Sequence, residues 1–432
     1  MRSAFVLIHR WAGLFIAVFL FIAGLTGAVI SWDHELDEWL NPHLFEAPAN
    51  AGKPPLPPLE LLAKVEAADP RAKVTFLPLH AEEGHNTSIG VQPRVDPKSG
   101  ELYPLDYNQA FVDPATGNIQ GKRFWGAISL DTENLLPFLY KLHYSLHIPT
   151  FANIDRWGVW FMGIVGIVWL FDCFVGFYLT LPTRARRGTS LGAAAVSDAV
   201  FDDSAPASGR RSWWQRWKPA WQIKRGASSY RLNLDLHRAF GLWLWAMLFI
   251  IAFTSMSMNL GNEVMRPILN TISSLTPDAF DDRAPTPLNK PIVADVSFAS
   301  AIDIARAEAL RRGWTEPPGG AFYGQQHGLY AILFHAPGDD HGSAGLLKML
   351  FIDGKSGGLV GGRVPWEGTA ADVFMQLQFP LHSGRIAGIP GRILLSVMGL
   401  VVAMLSATGI YIWFKKRQVR TASAWRMRQV TA

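Results

Sequence analysis

Five histidines stand near the ends of long apolar stretches, where their imidazoles could bind a metal. His9 and His237 each precede such a stretch and begin the same His-Arg-x-x-Gly-Leu sequence. His143, His147 and His382 precede two further stretches. Neutral imidazole is the usual axial ligand of a non-covalently held haem, and helix bundles house such cofactors between facing helices. The pattern predicts two bis-histidine haem b sites, one from His9 and His237, the other from His382 with either His143 or His147.

Glycines and arginines beside these histidines fit the same chemistry. Gly13 and Gly241 each follow a histidine by one helical turn on the same face, and would leave bare surface for a flat porphyrin. Arg10 and Arg238 directly follow the same histidines and could pair with the porphyrin propionates. Other residues could have the same roles near the other ends of the apolar stretches. Gly24 and Gly27 could leave room for a porphyrin, and the propionates could pair with Arg156, Arg385 and Arg392. The remaining histidines are predicted to be surface residues: His34, His43, His80, His85, His327, His335 and His341.

Asp172 is a carboxylate inside an apolar stretch, and such a residue is a functional candidate because its burial in lipid is costly. It could orient a haem-ligand histidine, or accept a proton near a quinol site. A purely structural role, as the partner of Arg10 or Arg238, is equally open.

Several classes of function are excluded by what the sequence lacks. Its single cysteine, Cys173, rules out structural disulfides, iron–sulfur clusters and covalently attached c-type haem. The motifs of dinucleotide, nucleotide-triphosphate, serine-hydrolase and zinc-protease sites do not occur in it. Electrons for a haem would therefore come from a membrane quinol or a separate cytoplasmic reductase.

Four apolar runs must position these side chains. Each has about 20 residues or more and few charges, which is the length needed to cross a bilayer core of about 30 Å. The first is interpreted as an uncleaved anchor, because it is longer than a signal-peptide core and no A-x-A-like site follows it. The sequence predicts a membrane α-helical bundle of four transmembrane helices, at Trp11–Ser31, Trp157–Leu181, Phe240–Met258 and Ile389–Phe414.

The net charge of +5 is unevenly distributed. Basic residues cluster before the first run, between the second and third, and after the fourth. The positive-inside rule then places both termini and the 182–236 loop in the cytoplasm of a bacterial inner membrane, so nucleic acid is an unnecessary explanation. Within that loop, tryptophans alternate with basic residues and predict a short helix at the lipid headgroups: Trp213, Trp214, Trp217 and Trp221.

The chain also reads as an internal duplication, in which each half has a histidine-led run, an outer domain, a second histidine and a second run. The sequence Val175–Leu179 corresponds to Thr408–Ile412. Each outer domain is predicted to be small and α+β, with turns marked by Asp-x-x-x-Gly. The predicted helices are Pro58–Ala68 and Phe298–Arg311, and the predicted strands include Lys73–Leu79 and Gly328–His335.

The sequence resembles the PepSY-associated transmembrane family, whose members are often described as iron-regulated membrane proteins. Asp113–Gly117 is similar to the Asp-Pro-x-Thr-Gly signature of PepSY domains, whereas Asp353–Gly357 lacks the usual proline. The resemblance implies an inner-membrane ferric-siderophore reductase with two b haems and two α+β periplasmic PepSY-like domains. It is carried by Leu7–Leu14, Leu142–His147, Asp172–Pro182, Leu236–Leu242 and Phe379–Gly384.

The domain boundaries follow from the runs and the resemblance. Transmembrane helices are predicted within 1–32, 141–182, 237–259 and 381–415. PepSY-like domains are predicted at 33–140 and 260–380, with a cytoplasmic loop at 183–236 and a tail at 416–432.

The leading hypothesis is electron transfer to a periplasmic Fe(III)-siderophore, which releases Fe(II). A haem-free, membrane-anchored PepSY protein that binds or senses an envelope partner is a second hypothesis. A permease for iron complexes is a third, disfavoured because the four runs offer little polar lining beyond Asp172.

Overall fold

The structure is a computed structural model that describes residues 2–47, 52–152, 154–183, 212–338 and 346–431. Residues 184–211 of the predicted cytoplasmic loop, with their basic side chains, lie outside these ranges, and so does His341. The chain divides into two compact units. A helical unit comprises Met1–Gly24, Val165–Phe253 and Leu400–Ala432, and a sheet-bearing unit comprises Leu25–Ile164 and Thr254–Gly399.

The described α-helices follow the predicted runs closely, with additional short helices around the outer domains. Helices predicted at Pro58–Ala68 and Phe298–Arg311 are confirmed at those bounds. In chain order the helices are α1 (Arg2–Ile30), α2 (Asp33–Leu40), α3 (Pro42–Phe45), α4 (Pro58–Ala68), α5 (Thr132–Ser145), α6 (Trp157–Thr180), α7 (Trp213–Trp217), α8 (Ser229–Trp243), α9 (Trp245–Asn259), α10 (Arg266–Leu269), α11 (Phe298–Arg311), α12 (Ala370–Ser383) and α13 (Gly388–Thr431).

Among the described residues, three helices are long and apolar enough to cross a membrane: α1, α6 and the segment Arg385–Ala422 that contains most of α13. The third predicted run is not one straight helix. It is divided between α8 and α9, which are bent by 74° at Leu244, and only the pair together passes as a fourth span. Hydropathy could not foresee the bend, because it reports composition and not straightness.

Four predicted domain boundaries fall inside helices. Position 140 lies within α5, 236 within α8, 380 within α12 and 415 within α13. The histidines of the second predicted site therefore lie on short helices before the spans and not on the spans themselves. At the other ends of the chain, α1 already begins at Arg2, and α13 continues 17 residues past the predicted end at Phe414.

The described strands of the two predicted outer domains form one antiparallel sheet of eight strands. Each half contributes a four-stranded meander, and the two meanders join through β1 and β5, with Phe76 opposite Phe322 and Leu77 opposite Ala321. The two α+β domains predicted as separate modules are thus continuous through their backbone hydrogen bonds. The strands are β1 (Ala72–Pro78), β2 (Thr87–Pro93), β3 (Gln109–Val112), β4 (Ile119–Arg123), β5 (Pro318–Gly324), β6 (Leu329–Phe334), β7 (Lys348–Asp353) and β8 (Leu359–Arg363), in the spatial order β4-β3-β2-β1-β5-β6-β7-β8.

Each half of the sheet has its own apolar core beneath its own helix. Leu61 and Val65 of α4 pack on Val74 and Ile89, and Ala301 of α11 packs in the cluster that includes β5, β6 and β7. The predicted Asp-x-x-x-Gly turns connect β3 to β4 and β7 to β8. In the second turn, hydrogen bonds from the backbone of Ser356 are the main reason that the pKa of Asp353 falls to about 2.

Candidate functional site

The first predicted histidine pair comes together in the helical unit. His9 on α1 and His237 on α8 have ring centres 6.2 Å apart. Two glycines make room for the rings: a Cβ at Gly176 would lie 3.5 Å from Cε1 of His9, and a Cβ at Gly409 would lie 3.3 Å from Cε1 of His237. Gly176 and Gly409 belong to the segments Val175–Leu179 and Thr408–Ile412, which correspond in sequence, and each lies beside one histidine of the pair.

The Nδ1 atoms of this pair face hydrogen-bond acceptors. His9 Nδ1 lies 2.9 and 3.0 Å from the two carboxylate oxygens of Asp172. His237 Nδ1 lies 3.0 Å from the carbonyl oxygen of Leu405 and 3.1 Å from the Thr408 hydroxyl. A carbonyl oxygen can only accept, so Nδ1 of His237 carries the proton, and a carboxylate favours the same tautomer at His9. Each ring then has its lone pair on Nε2, the nitrogen that can bind a metal.

The second pair comes together in the sheet-bearing unit. His143 is in the last turn of α5, His382 is in the last turn of α12, and their ring centres are 6.1 Å apart. Their Nδ1 atoms lie 3.1 and 3.0 Å from the hydroxyls of Thr26 and Thr254, respectively. A Cβ at Gly27 would lie 2.9 Å from Cε1 of His143, so the ring occupies the space that this glycine leaves.

His147 is not brought to this pair. Its Nε2 bonds the carbonyl oxygen of Phe138 at 2.9 Å, and its ring stacks on the Phe138 ring. Residues four positions apart, such as His143 and His147, share one face of a continuous helix. These two do not, because α5 ends at Ser145 and both Leu146 and His147 have a left-handed backbone with φ of 53°. Of the two candidates, the structure places His143 opposite His382.

The donor set and its spacing fit haem. An imidazole nitrogen binds a transition metal at about 2 Å, so two imidazoles on opposite sides of one iron have ring centres about 6 to 6.5 Å apart. Metal-ligating histidines also usually donate the other ring N–H to a carboxylate or carbonyl. Spacing alone is not decisive, since His80 and His335 have ring centres 6.0 Å apart. An oxygen atom of another helix lies beside each of the four Nδ1 atoms, which distinguishes the two predicted pairs.

The other predicted site residues have mixed placements. A Cβ at Gly241 would meet no described atom within 4 Å, whereas one at Gly13 would lie 3.9 Å from the Asp172 carboxylate. Arg238 is bound to Asp235 and to the carbonyl oxygen of Pro219, and the structure gives no contact that assigns a role to Arg10. The other three arginines considered for propionates form ion pairs: Arg156 with Glu263, Arg385 with Asp33 and Arg392 with Glu35.

Sequence reasoning missed the two threonines, although a signal for them was present. Thr26 follows His9 by 17 residues, and Thr254 follows His237 by the same number. A hydroxyl at the same offset in both copies of a repeat could have been found by aligning the two halves. Asp172, in contrast, was singled out, and the structure places it on His9 and not on Arg238.

These features agree with the comparison with known proteins. The model of the PepSY-associated TM region matches residues 6–416. The chain belongs to the PepSY-associated transmembrane family. Together with the long apolar helices, this membership makes it a multi-pass membrane protein with an α+β portion. A search of curated proteins finds none that matches.

Within the described part of this PepSY-associated transmembrane protein, no group of three or more His, Cys, Asp or Glu side chains could hold a metal ion. Axial ligation of haem needs only two side chains, because the porphyrin supplies the other four nitrogens. The two histidine pairs are therefore the candidate cofactor sites of this family member.

Proposed function

We propose that this protein is a di-haem cytochrome b of the bacterial inner membrane that reduces Fe(III)-siderophore in the periplasm. The observation that carries the proposal is the arrangement of four histidines in two pairs. In each pair, both Nδ1 atoms face an oxygen atom of another helix, and the ring centres have the spacing of bis-histidine ligation.

The proposed topology has four spans, with the bent pair of α8 and α9 counted as one, and both termini in the cytoplasm. Basic residues after the fourth apolar run support it: Lys415, Lys416, Arg417 and Arg420. The repeated His-Arg-x-x-Gly-Leu sequence and the matched threonine offsets support an internal duplication. In this topology the His9–His237 site lies toward the cytoplasm and the His143–His382 site toward the periplasm.

Haem b supplies, when bound, the exchange of one electron between the ferric and ferrous states of its iron. The four histidines would hold it, and their Nδ1 partners would fix the ring orientations. Siderophores bind Fe(III) far more tightly than Fe(II). One electron added to Fe(III)-siderophore therefore gives Fe(II) and an intact chelator, and no covalent bond of the chelator breaks.

The chain has no visible flavin or nicotinamide site, so its donor would be a membrane quinol or a separate cytoplasmic reductase. The site nearer the cytoplasm would receive the electron and the site nearer the periplasm would deliver it. The eight-stranded sheet and its helices would form the surface at which the iron complex is recognised.

A reduced-minus-oxidised absorption spectrum of the purified protein tests this proposal. We expect b-type bands and two haems per chain, measured as pyridine haemochrome against protein. The His237→Ala protein should retain only the haem at His143 and His382. The His382→Ala protein should retain only the haem at His9 and His237. A protein from haem-supplied cells that carries no haem would contradict the proposal and leave the binding or sensing function in its place.

The direction of transfer can be tested in membrane vesicles. His382→Ala should still permit reduction of the remaining haem by the physiological donor, but should abolish reduction of external Fe(III)-siderophore. His237→Ala should block reduction by the donor, whereas dithionite added outside should still reduce the remaining haem. Normal siderophore reduction by the His382→Ala protein would refute the relay.

A further inference from the structure

Nδ1 of His9 faces a charged group. Both carboxylate oxygens of Asp172 lie within 3.0 Å of Nδ1 of His9. The Nδ1 atoms of the other three histidines lie beside neutral groups, namely a carbonyl and a hydroxyl at His237 and a threonine hydroxyl at His143 and at His382. The two pairs are therefore chemically unequal, although their ring spacings are almost the same.

The difference lies at one position of the repeat. Asp172 comes four residues before Gly176, the glycine beside His9. Leu405 comes four residues before Gly409, the glycine beside His237. At Leu405 the backbone carbonyl accepts from Nδ1, and at Asp172 the side chain has that role. In the sheet-bearing unit, a threonine hydroxyl lies beside Nδ1 of both histidines.

A carboxylate that accepts a hydrogen bond from Nδ1–H makes the imidazole a stronger electron donor to a bound metal. The Asp172 side chain is only 10% exposed, so its charge acts in a medium of low dielectric constant. Both effects stabilise the more positive, ferric state of a ligated iron, and so lower its reduction potential.

We propose that Asp172 holds the reduction potential of the His9–His237 site below that of the His143–His382 site. An electron that enters at the first site then passes to the second with a loss of free energy, and the reverse transfer is disfavoured. Asp172 is in this sense a positioning and charge-supplying residue that acts through His9. The inference rests on the proposed function, because it requires haem at both pairs.

A competing role, acceptance of a quinol proton by Asp172, makes a different prediction. A proton acceptor affects the rate at which the donor reduces the protein, and leaves the equilibrium potentials of the two haems unchanged.

An optical redox titration of the purified full-length holoprotein tests the proposal. Asp172→Asn keeps the shape and an acceptor oxygen and removes the charge. It should raise the midpoint potential of one haem, leave the other unchanged and retain two haems per chain. The same substitution in a His382→Ala background, which keeps only the His9–His237 haem, should show the same rise. Asp172→Glu should restore a low potential.

Thr26→Val is the matched control, because it removes a neutral acceptor from the other pair and should shift only the other haem. If the Asp172→Asn protein bound two haems whose midpoint potentials were unchanged, the inference would be overturned. If those potentials were unchanged but the quinol reduced the protein more slowly, proton acceptance would be assigned to Asp172 instead. A wild-type protein without haem would overturn the proposed function itself, which is a distinguishable result.

Discussion

At the scale of single residues, each of the four paired histidines comes with a hydrogen-bond partner and three of them with a closely placed glycine. The partner orients the ring, and the glycine gives the ring its space. Gly27 shows the second effect most clearly, since a Cβ there would lie 2.9 Å from the His143 ring. A histidine at the end of an apolar run is common, but one with both a partner and a cleared space is a stronger candidate ligand.

His143 and His147 provide a direct test at this scale. His143→Ala should reduce haem content from two per chain to one, because it removes a ligand opposite His382. His147→Ala should leave two, because that ring bonds Phe138. The measurement is the ratio of haem to protein after purification. Loss of a haem in the His147→Ala protein, with the His143→Ala protein unaffected, would exchange the two assignments.

Gly241 tests whether a porphyrin lies where the repeated glycines were predicted to leave room. A Cβ at this position would meet no described atom within 4 Å beyond its own stretch of helix, so we expect the Gly241→Leu protein to fold. If a porphyrin occupies the space, the leucine should displace it and lower haem content to one per chain. Gly241→Ala, with a much smaller side chain, is the control. Two retained haems in a monodisperse Gly241→Leu protein would show that no porphyrin covers this helix face.

At the scale of elements, short helices before the spans carry the second histidine pair. Both end soon after their histidine in a left-handed residue, Leu146 after α5 and Gly384 after α12. Such residues end a helix by turning the chain away from its axis. The histidine is thereby kept in the last turn, and residues beyond the end, such as His147, are directed elsewhere.

The joining of the two meanders at β1 and β5 can be tested by a disulfide. Phe76 and Phe322 are directly opposite across this pair. With Cys173 replaced by Ala, Phe76→Cys with Phe322→Cys should form a disulfide under oxidising conditions, seen as protection from a thiol-reactive maleimide. Phe76→Cys with Ala331→Cys is the control. Ala331 is one strand farther away, about 9.5 Å, which is beyond the Cα separation that a disulfide spans.

Equal reactivity of the thiols in both double variants would mean that the two halves form separate sheets. That result would return the outer portion to the two independent domains predicted from sequence.

At the scale of the whole chain, ion pairs join arginines at the beginning of the second and fourth apolar runs to glutamates that follow the first apolar run of the other half. Arg392 binds Glu35 through two bonds of 2.7 Å, and Arg156 binds Glu263 at 3.0 Å. The hydrogen bonds from Arg392 lower the pKa of Glu35 to about 2. Glu35 and Glu263 are equivalent in the repeat, since each follows its His-Arg-x-x-Gly-Leu histidine by 26 residues. The two halves are thus linked by reciprocal contacts as well as by the sheet.

The proposed topology predicts which surfaces are accessible from the periplasm. In a Cys173→Ala background, Lys98→Cys in an outer turn should react with a membrane-impermeant maleimide in intact spheroplasts. Gln418→Cys on the exposed end of α13 should react only after the inner membrane is disrupted. Both side chains are exposed, so intrinsic accessibility does not distinguish them. Comparable labelling of Gln418→Cys in intact spheroplasts would contradict cytoplasmic termini.

The sequence by itself determined the features that depend on near neighbours along the chain. Apolar runs, basic clusters, the repeated His-Arg-x-x-Gly-Leu sequence and the helices at Pro58–Ala68 and Phe298–Arg311 follow from composition and local periodicity. These features sufficed to identify the family and to single out Asp172 and the paired histidines, with His147 left as an alternative to His143.

Only the tertiary structure decided which of these groups meet. The Asp172 carboxylate lies on His9 across 163 positions of sequence, and Thr254 lies on His382 across 128. The choice of His143 over His147 depends on a left-handed turn at the end of α5, and the joining of β1 to β5 depends on backbone hydrogen bonds between distant strands. Local patterns fix the type and face of an element, but its partner is selected by packing among elements, to which no short stretch of sequence has access.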